Sequence, residues 1–251
     1  MKFHITTDRE LRELHERRGA AQEAVDRPLE SFSEAQCQAH YQALAQQQQA
    51  LPRARLEAQH ARLIGPRGQF ALLVQELETL GRQAPTLDDL AELGSRELRT
   101  RADKALSFVF GHQRLRPPAP NPYRGLSRER LCCMVYDEQA GFTLIERYAA
   151  LVTLRQHDTH YFSRLIDTTR KTVERRLVFR GLLEHFDALL PIERCIYPAS
   201  YREAQLRHLQ QEEQIYGPLE LGQPMAVLVA RHSISTLLKK AGAIQAPTGN
   251  A

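Results

Sequence analysis

Residues 121–162 read NPYRGLSRERLCCMVYDEQAGFTLIERYAALVTLRQHDTHYF and contain the densest set of secondary-structure signals in the chain. Ser127 precedes a run of helix-forming residues and predicts a capped helix over 128–136. Gly141 breaks that helix. Thr143 and Glu146 then have the spacing of a capping box, in which a hydroxyl and a carboxylate bind each other's backbone amides at a helix start. The stretch predicts two consecutive α-helices, the second reaching to about residue 166.

The composition of the whole chain also favours helix. Its 251 residues are rich in Arg, Leu, Ala, Gln and Glu, all good helix formers, and Trp is absent. No long run alternates apolar with polar residues, as a half-buried strand would. The sequence therefore predicts an all-α, multi-helix bundle. Further helices are expected over residues 8–25, 31–51, 53–64, 70–80, 87–93, 96–110, 200–216 and 225–240.

Three of the expected helices have distinctive compositions. Residues 46–49 are consecutive glutamines, which predict a solvated face. The helix that starts at residue 143 either continues to residue 183 or breaks at 167–169, where Asp and Thr weaken helix propensity. The last helix, over 225–240, is strongly apolar and is expected to be buried, with a short strand over 226–230 as the alternative.

A proline-rich segment divides the chain near its middle. Residues 116–122 read RPPAPNP, and four prolines in seven residues exclude helix and favour an extended backbone. We therefore predict two helical subdomains, residues 1–115 and 123–242, joined by this linker and followed by a disordered tail over 243–251. A long connection between helices of a single domain is the alternative.

Apolar runs and cysteine usage restrict the class of protein. The longest apolar runs, residues 131–136 and 225–230, are far shorter than the roughly 18 residues that suggest a membrane span. The charged N-terminus lacks the apolar core of a signal peptide. The four cysteines form no CxxC motif, and we interpret them as small buried residues in a reducing compartment. We expect a cytoplasmic protein that has no cofactor and does not bind membranes.

Charge is unevenly distributed, although the formal net charge is only +4. Residues 95–130 contain nine Lys or Arg against three Asp or Glu, residues 155–180 seven against three, and residues 184–220 three against seven. Cations that lie close together on a helix can follow a phosphate backbone. Ion pairing with the acidic segment 184–220 is the alternative. The candidate nucleic-acid-binding residues are Arg164, Arg170, Lys171, Arg175, Arg176 and Arg180.

His157 and His160 are the best candidates for metal ligands. They are three residues apart, which places both imidazoles on one face of a helix. Glu146 is about three turns away, so a third ligand has to come from another part of the chain. A solvated or hydrogen-bonded pair of histidines is the alternative.

Two other groups are candidates for catalysis. Cys132 or Cys133 could act as a nucleophile with a distant histidine, and Asp137 with Glu138 could perform acid–base chemistry if burial separates their pKa values. The sequence contains no Gly-rich phosphate loop and no nucleophile elbow. Structural roles are expected for all four residues, and no catalytic residue is predicted.

A series of short motifs resembles a pattern found in a group of bacterial proteins. The motifs are NPY at 121–123, LSR at 126–128, YDE at 136–138, Gly141 with FT at 142–143, ER at 146–147 and AA at 149–150. The segment HFDALLPIERCIYPASY at 185–201 is similar to a downstream part of the same group. The resemblance implies that residues 121–216 form one unit. The group has no known activity, so the resemblance implies no mechanism.

These observations favour a non-enzymatic cytoplasmic interaction protein, an adaptor or regulator that binds another protein through helical faces and can form homo-oligomers. A nucleic-acid-binding regulator that uses the basic stretches 96–130 and 164–180 is the first alternative. A metal-binding protein or an enzyme built around His157 and His160 is the second.

Overall fold

The computed structural model describes residues 33–168 and 174–240. Every regular element in this part of the chain is helical, so the predicted all-α, multi-helix fold is confirmed. The helix expected over 8–25, the tail over 243–251, and Arg170 with Lys171 lie outside the described residues. We number the described α-helices α1 (Glu34–Gln49), α2 (Arg53–Ile64), α3 (Gln69–Leu80), α4 (Arg96–His112), α5 (Arg128–Tyr136), α6 (Leu144–Asp167), α7 (Arg175–Ala188), α8 (Pro191–Arg194), α9 (Tyr201–Tyr216), α10 (Met225–Arg231) and α11 (Ile234–Lys240).

The contacts of the chain define two compact units, each made of two separate segments. The first unit comprises residues 1–44 and 72–151, and the second comprises residues 45–71 and 152–251. The proline-rich segment 116–122 lies inside the first unit. Residues 121–216, which the resemblance implies to be one unit, are shared between the two.

In the first unit, buried polar side chains connect helices that are distant in sequence. The Arg101 guanidinium on α4 binds the Glu146 carboxylate on α6 through two nitrogens. Glu146 also accepts the backbone N–H of Thr143 at 2.9 Å, which confirms the predicted capping box. Arg147 donates to the backbone carbonyl of Val135 near the end of α5, with a distance of 2.9 Å from Nη2 to the oxygen. These bonds fix the start of α6 against α4 and α5.

The second unit contains an apolar core in which α7 packs against α9 and α10. Arg176 on α7 is buried and binds the Glu174 carboxylate. Its remaining terminal nitrogen donates to the carbonyls of Tyr216 and Gly217 at the end of α9, at 3.0 and 2.7 Å. The buried core side chains are Leu165, Leu177, Leu219, Met225, Leu228, Val229 and Leu237.

The C-terminal helical region differs from the prediction of one continuous helix. The chain leaves the helix at His232 and Ser233 and resumes it in α11. Ser233 is the physical reason, because its Oγ accepts the backbone N–H of Thr236 at 3.3 Å and so caps a new helix start. The alternative of a strand over 226–230 is also wrong, since these residues belong to α10. The expected burial of Met225, Leu228 and Val229 is confirmed.

Two further local predictions are wrong. The helix expected over 87–93 is not an α-helix: a 3₁₀ helix runs over Pro85–Leu90, and the backbone N–H of Thr86 donates to Glu76 at 2.9 Å. Gln46, Gln47 and Gln49 are exposed as predicted, but Gln48 is not, because only 5% of its surface is exposed and its side-chain oxygen accepts the N–H of Ile192 at 3.2 Å. Both errors come from contacts with residues that the local pattern does not contain.

None of the helices in residues 33–168 and 174–240 combines the length and the apolar character that crossing a membrane requires.

Candidate functional site

Four of the six cations predicted to bind nucleic acid are described, and each one contacts protein groups of the second unit. Arg164 donates to the carbonyl of His232, and Arg176 has the buried contacts given above. Arg180 pairs with Glu184 at 2.6 Å. Arg175, with 68% of its side chain exposed, pairs at 3.7 Å with the carboxylate of Glu212. Arg170 and Lys171 lie outside the described residues, and nucleic-acid binding by the set stays a prediction.

The two candidate metal ligands lie on α6 in the second unit. His157 is half-buried and His160 is exposed. Among residues 33–168 and 174–240, no group of three His, Cys, Asp or Glu side chains is arranged to hold a metal ion. Metal binding by His157 and His160 therefore stays a prediction that requires ligands from elsewhere.

The candidate catalytic residues have structural contacts in the first unit. Cys132 and Cys133 are buried and form no disulfide, and burial raises the pKa of Cys133 to about 12, which suppresses the thiolate that a nucleophile requires. The Asp137 carboxylate binds Nε2 of His40 on α1, at 2.7 Å. Acid–base chemistry by Asp137 with Glu138 stays a prediction.

A pocket in the second unit was not predicted from the sequence. We call it the Phe186 pocket: it has a volume of about 270 Å³ and is formed by two segments, residues 48–56 and residues 186–199. Its apolar wall consists of Leu51, Leu56, Phe186, Pro191, Cys195, Pro198 and Ala199. Gln48, Gln49, Arg53 and Arg194 add polar groups. A concave, mainly apolar surface with a few polar groups is the usual form of a binding site.

Hydrogen bonds hold the two segments of the Phe186 pocket together. Arg53, at the first position of α2, donates through Nη2 to the carbonyls of Cys195 and Tyr197, at 2.8 and 2.7 Å. Gln48 adds the bond to Ile192 N–H described above. Because these bonds use backbone carbonyls and an amide of the facing segment, the pocket has a defined shape before any ligand binds.

Aromatic rings support one side of the pocket. The ring of Phe186 lies 5.5 Å from that of Tyr197 and 5.1 Å from that of Tyr201, and the two tyrosine rings are 4.8 Å apart, centroid to centroid. Ile196, next to this group in the chain, has 59% of its surface exposed. The pocket thus lies beside an exposed aliphatic side chain.

Arg194 gives the pocket a positive charge. Its guanidinium donates to the backbone carbonyl of Asp187 and lies 5.7 Å from the centre of the Phe186 ring. No carboxylate of the described residues pairs with it, and its buried Nε has no acceptor there. Arg53, in contrast, pairs with Glu57 at 2.7 Å. Nη1 of Arg194 makes no hydrogen bond to the described residues and is the terminal donor left for a ligand acceptor.

Comparisons with known proteins give no name to this arrangement. No protein-family model, no curated protein and no solved structure matches the chain. The geometry of the chain itself therefore carries the functional argument.

The sequence contained one signal for the Phe186 pocket. The segment at 185–201, which is similar to part of the bacterial group described above, supplies Phe186, Pro191, Arg194, Cys195, Pro198 and Ala199 to its wall. Nothing in the local pattern indicated that residues 48–56 complete the pocket, because about 140 residues separate the two segments.

Proposed function

We propose that the protein is a non-enzymatic interaction protein that binds a peptide segment of another protein in the Phe186 pocket. The observation that carries the proposal is an apolar pocket with one cation, Arg194, that has no carboxylate partner among the described residues. The bound segment would place an apolar side chain against Leu51, Leu56 and Phe186. It would place a carboxylate against Arg194, in a charge-assisted hydrogen bond.

The size of the pocket supports a peptide rather than a cofactor. At about 270 Å³ it is smaller than the roughly 300–1,000 Å³ that is usual for sites of small molecules and cofactors. Full burial of one large aliphatic side chain contributes about 1.5–3 kcal/mol, so one anchor alone gives weak, reversible binding. Contacts with side chains around the pocket, such as Ile196, which follows Cys195 of the pocket wall in the chain, would add to the binding free energy. We place the interaction in the cytoplasm, in agreement with four cysteines that form no disulfide.

Selection from a random peptide library displayed on phage, with the full chain as bait, tests the proposal. We expect enriched peptides to share an apolar residue close to an Asp or Glu. Ala199→Trp fills the pocket and should abolish binding of these peptides. Arg194→Gln should weaken binding by roughly tenfold or more, the loss expected for one charge-assisted contact.

A matched pair of variants distinguishes the pocket from general surface hydrophobicity. Ile196→Asp, beside the pocket, should weaken peptide binding, whereas Ile215→Asp on α9, where the side chain is 70% exposed, should not. The proposal is wrong if no peptide is enriched, or if enriched peptides bind equally well to Ala199→Trp. Sedimentation at several protein concentrations would show whether a second copy of the chain occupies the pocket. An oligomer that is lost in Ala199→Trp would mean that the pocket serves self-association and not the binding of another protein.

A further inference from the structure

A second cavity lies in the first unit, on one side of α4. We call it the Arg101 pocket: its volume is about 430 Å³, and it is lined by Arg96, Glu97, Thr100, Arg101, Lys104 and Pro122. Three of these six residues are cations. Arg96 and Lys104 are exposed, and neither forms an ion pair within the described part of the chain. Their charge is therefore available to a ligand.

Arg101 is the one buried residue among those that line this cavity. Its side chain is nine-tenths buried, with 9% exposed. Nε and Nη2 bind the two oxygens of Glu146, and the guanidinium lies 4.6 Å from the centre of the Phe142 ring. Nη1 has no acceptor among the described residues. A buried guanidinium that is held on one edge by a carboxylate and leaves both N–H donors of Nη1 unused is prearranged for an acceptor in the cavity.

The arrangement of donors indicates an oxyanion with several oxygens. Arg96 and Lys104 are eight residues apart, about 12 Å along the helix axis, and Arg101 lies between them. A carboxylate has only two oxygens and can accept hydrogen bonds from only some of these three side chains. A phosphate group has three terminal oxygens and binds well to combined Arg and Lys donors.

We propose that the Arg101 pocket binds a phosphorylated small molecule, with the phosphate between Nη1 of Arg101 and the side chains of Arg96 and Lys104. This site is separate from the Phe186 pocket and does not depend on the function proposed there. The cavity volume is within the usual range for small-molecule ligands. A concave site with a buried donor at its base favours a discrete phosphate ligand over the backbone of a nucleic acid, which is followed by rows of exposed cations.

Glu97 provides a sharp test, because its carboxylate lines the same cavity and repels an anion. We expect isothermal titration calorimetry of the full chain with sodium pyrophosphate to give a saturable signal. Lys104→Gln and Arg96→Gln should each weaken binding by about tenfold, the effect of losing one charge-assisted contact. Glu97→Gln should tighten binding. All three side chains are exposed, so the fold should tolerate their replacement.

Arg99→Gln is the matched control. Arg99 is exposed on the same helix and donates to the carbonyl of Leu93, but it does not line the cavity. Arg99→Gln removes one positive charge, as Lys104→Gln does. Unchanged pyrophosphate binding in Arg99→Gln therefore supports a local site. Equal weakening by Arg99→Gln and Lys104→Gln overturns the proposal, since binding would then follow net charge.

Two other probes complete the test. Acetate should bind more weakly than inorganic phosphate, and equal affinity would overturn the assignment of a phosphate ligand. A short DNA duplex should not compete with pyrophosphate. Tight binding of the duplex without binding of pyrophosphate would overturn the proposal in favour of an extended polyanion.

Discussion

Two buried guanidinium groups show how this chain places charge in its interior. The side chains of Arg101 and Arg176 are 9% and 4% exposed, and their carboxylate partners, Glu146 and Glu174, are 0% and 3% exposed. A buried ion pair adds little net stability compared with apolar residues of the same shape, but loss of one partner leaves an uncompensated buried charge. At both sites the pair is therefore intolerant of single substitutions.

Adjacent arginines on α7 allow a direct test of this effect. Arg176→Gln should lower the free energy of unfolding by about 3–5 kcal/mol, because Glu174 and two backbone carbonyls lose their donor. Arg175→Gln, which replaces a largely exposed side chain, should change it by no more than about 0.5 kcal/mol. Urea denaturation followed by circular dichroism measures both. Similar costs for the two variants would contradict the burial of Arg176.

Gly111, in the last turn of α4, is in close contact with the proline-rich segment. A Cβ atom on Gly111 would lie 2.9 Å from Ala119 N and from Pro118 Cα, which are backbone atoms that cannot move easily. Gly111→Ala should therefore destabilise the first unit by about 1–3 kcal/mol. Gly94→Ala is the control, because a Cβ there meets no atom within 4 Å. Thermal and chemical denaturation of the two variants measure the difference in stability. Equal stabilities would contradict the close contact at Gly111.

At the scale of elements, α1 and the end of α5 are joined by the pair of His40 and Asp137. The hydrogen bond that His40 donates to the Asp137 carboxylate raises the pKa of His40 above its ordinary value, although burial opposes this. Burial acts against ionisation of Asp137, but the bonds from His40 and from the N–H of Gln139 outweigh it and lower the pKa of the carboxyl group. The pair is therefore ionised over a wider pH range than the two free side chains would be.

These shifts predict how stability depends on pH. The contribution of His40 is fully present below about pH 6.5, the ordinary pKa of histidine, and is lost as the pH rises through the higher native pKa. The contribution of Asp137 is present above about pH 4, the ordinary pKa of the carboxyl group, and is lost as the pH falls through the lower native value. The pair should therefore stabilise the protein most between these limits.

Comparison of the wild type with His40→Gln over this range measures the contribution. The difference in unfolding free energy should be largest at about pH 5–6 and should decrease towards alkaline pH. His160→Gln, at an exposed histidine on α6, is the control and should change the unfolding free energy little. A difference for His40→Gln that does not vary with pH would contradict the role of the ion pair.

At the scale of the whole molecule, the two units alternate along the chain. Because each unit combines residues from both sides of position 116, no cut in the proline-rich segment yields a complete unit. A fragment of residues 123–251 would keep Glu146 without Arg101, and the 186–199 wall of the Phe186 pocket without Arg53 and Gln48. We expect this fragment to be unfolded or aggregated.

A ¹H–¹⁵N correlation spectrum of the fragment tests that expectation. Poor dispersion for residues 123–251, next to a well-dispersed spectrum of the full chain, is the expected result. A dispersed, cooperatively melting fragment would instead support residues 116–122 as an independent domain boundary.

Sequence predicted those features that depend on neighbours within one helical turn. Ser127 caps α5 as expected, and Thr143 with Glu146 forms the expected capping box at the start of α6. The expected helices over 31–51 and 53–64 correspond to α1 and α2. Helix starts are specified by a few adjacent residues, so one sequence is sufficient to find them.

The remaining features depend on pairs of residues far apart in the chain. Glu146 was identified as a capping residue, but its buried partner Arg101 precedes it by 45 residues. The separation is 144 residues for Gln48 and Ile192, and 142 for Arg53 and Cys195. Helical periodicity does not specify which distant helices meet, so neither pocket could be derived from one sequence.

The buried thiols have a practical consequence for following the motions of the chain. Cys37, Cys132 and Cys133 belong to the first unit and Cys195 to the second, and all four are buried thiols outside any disulfide. A small alkylating reagent can reach each sulfur only when the surrounding helices separate, so its rate of modification reports how often that region opens. The intact protein would be labelled first and then digested, and mass spectrometry of the peptides would give the rate of alkylation at each cysteine. The rates report the opening of both units in one sample, without any engineered probe.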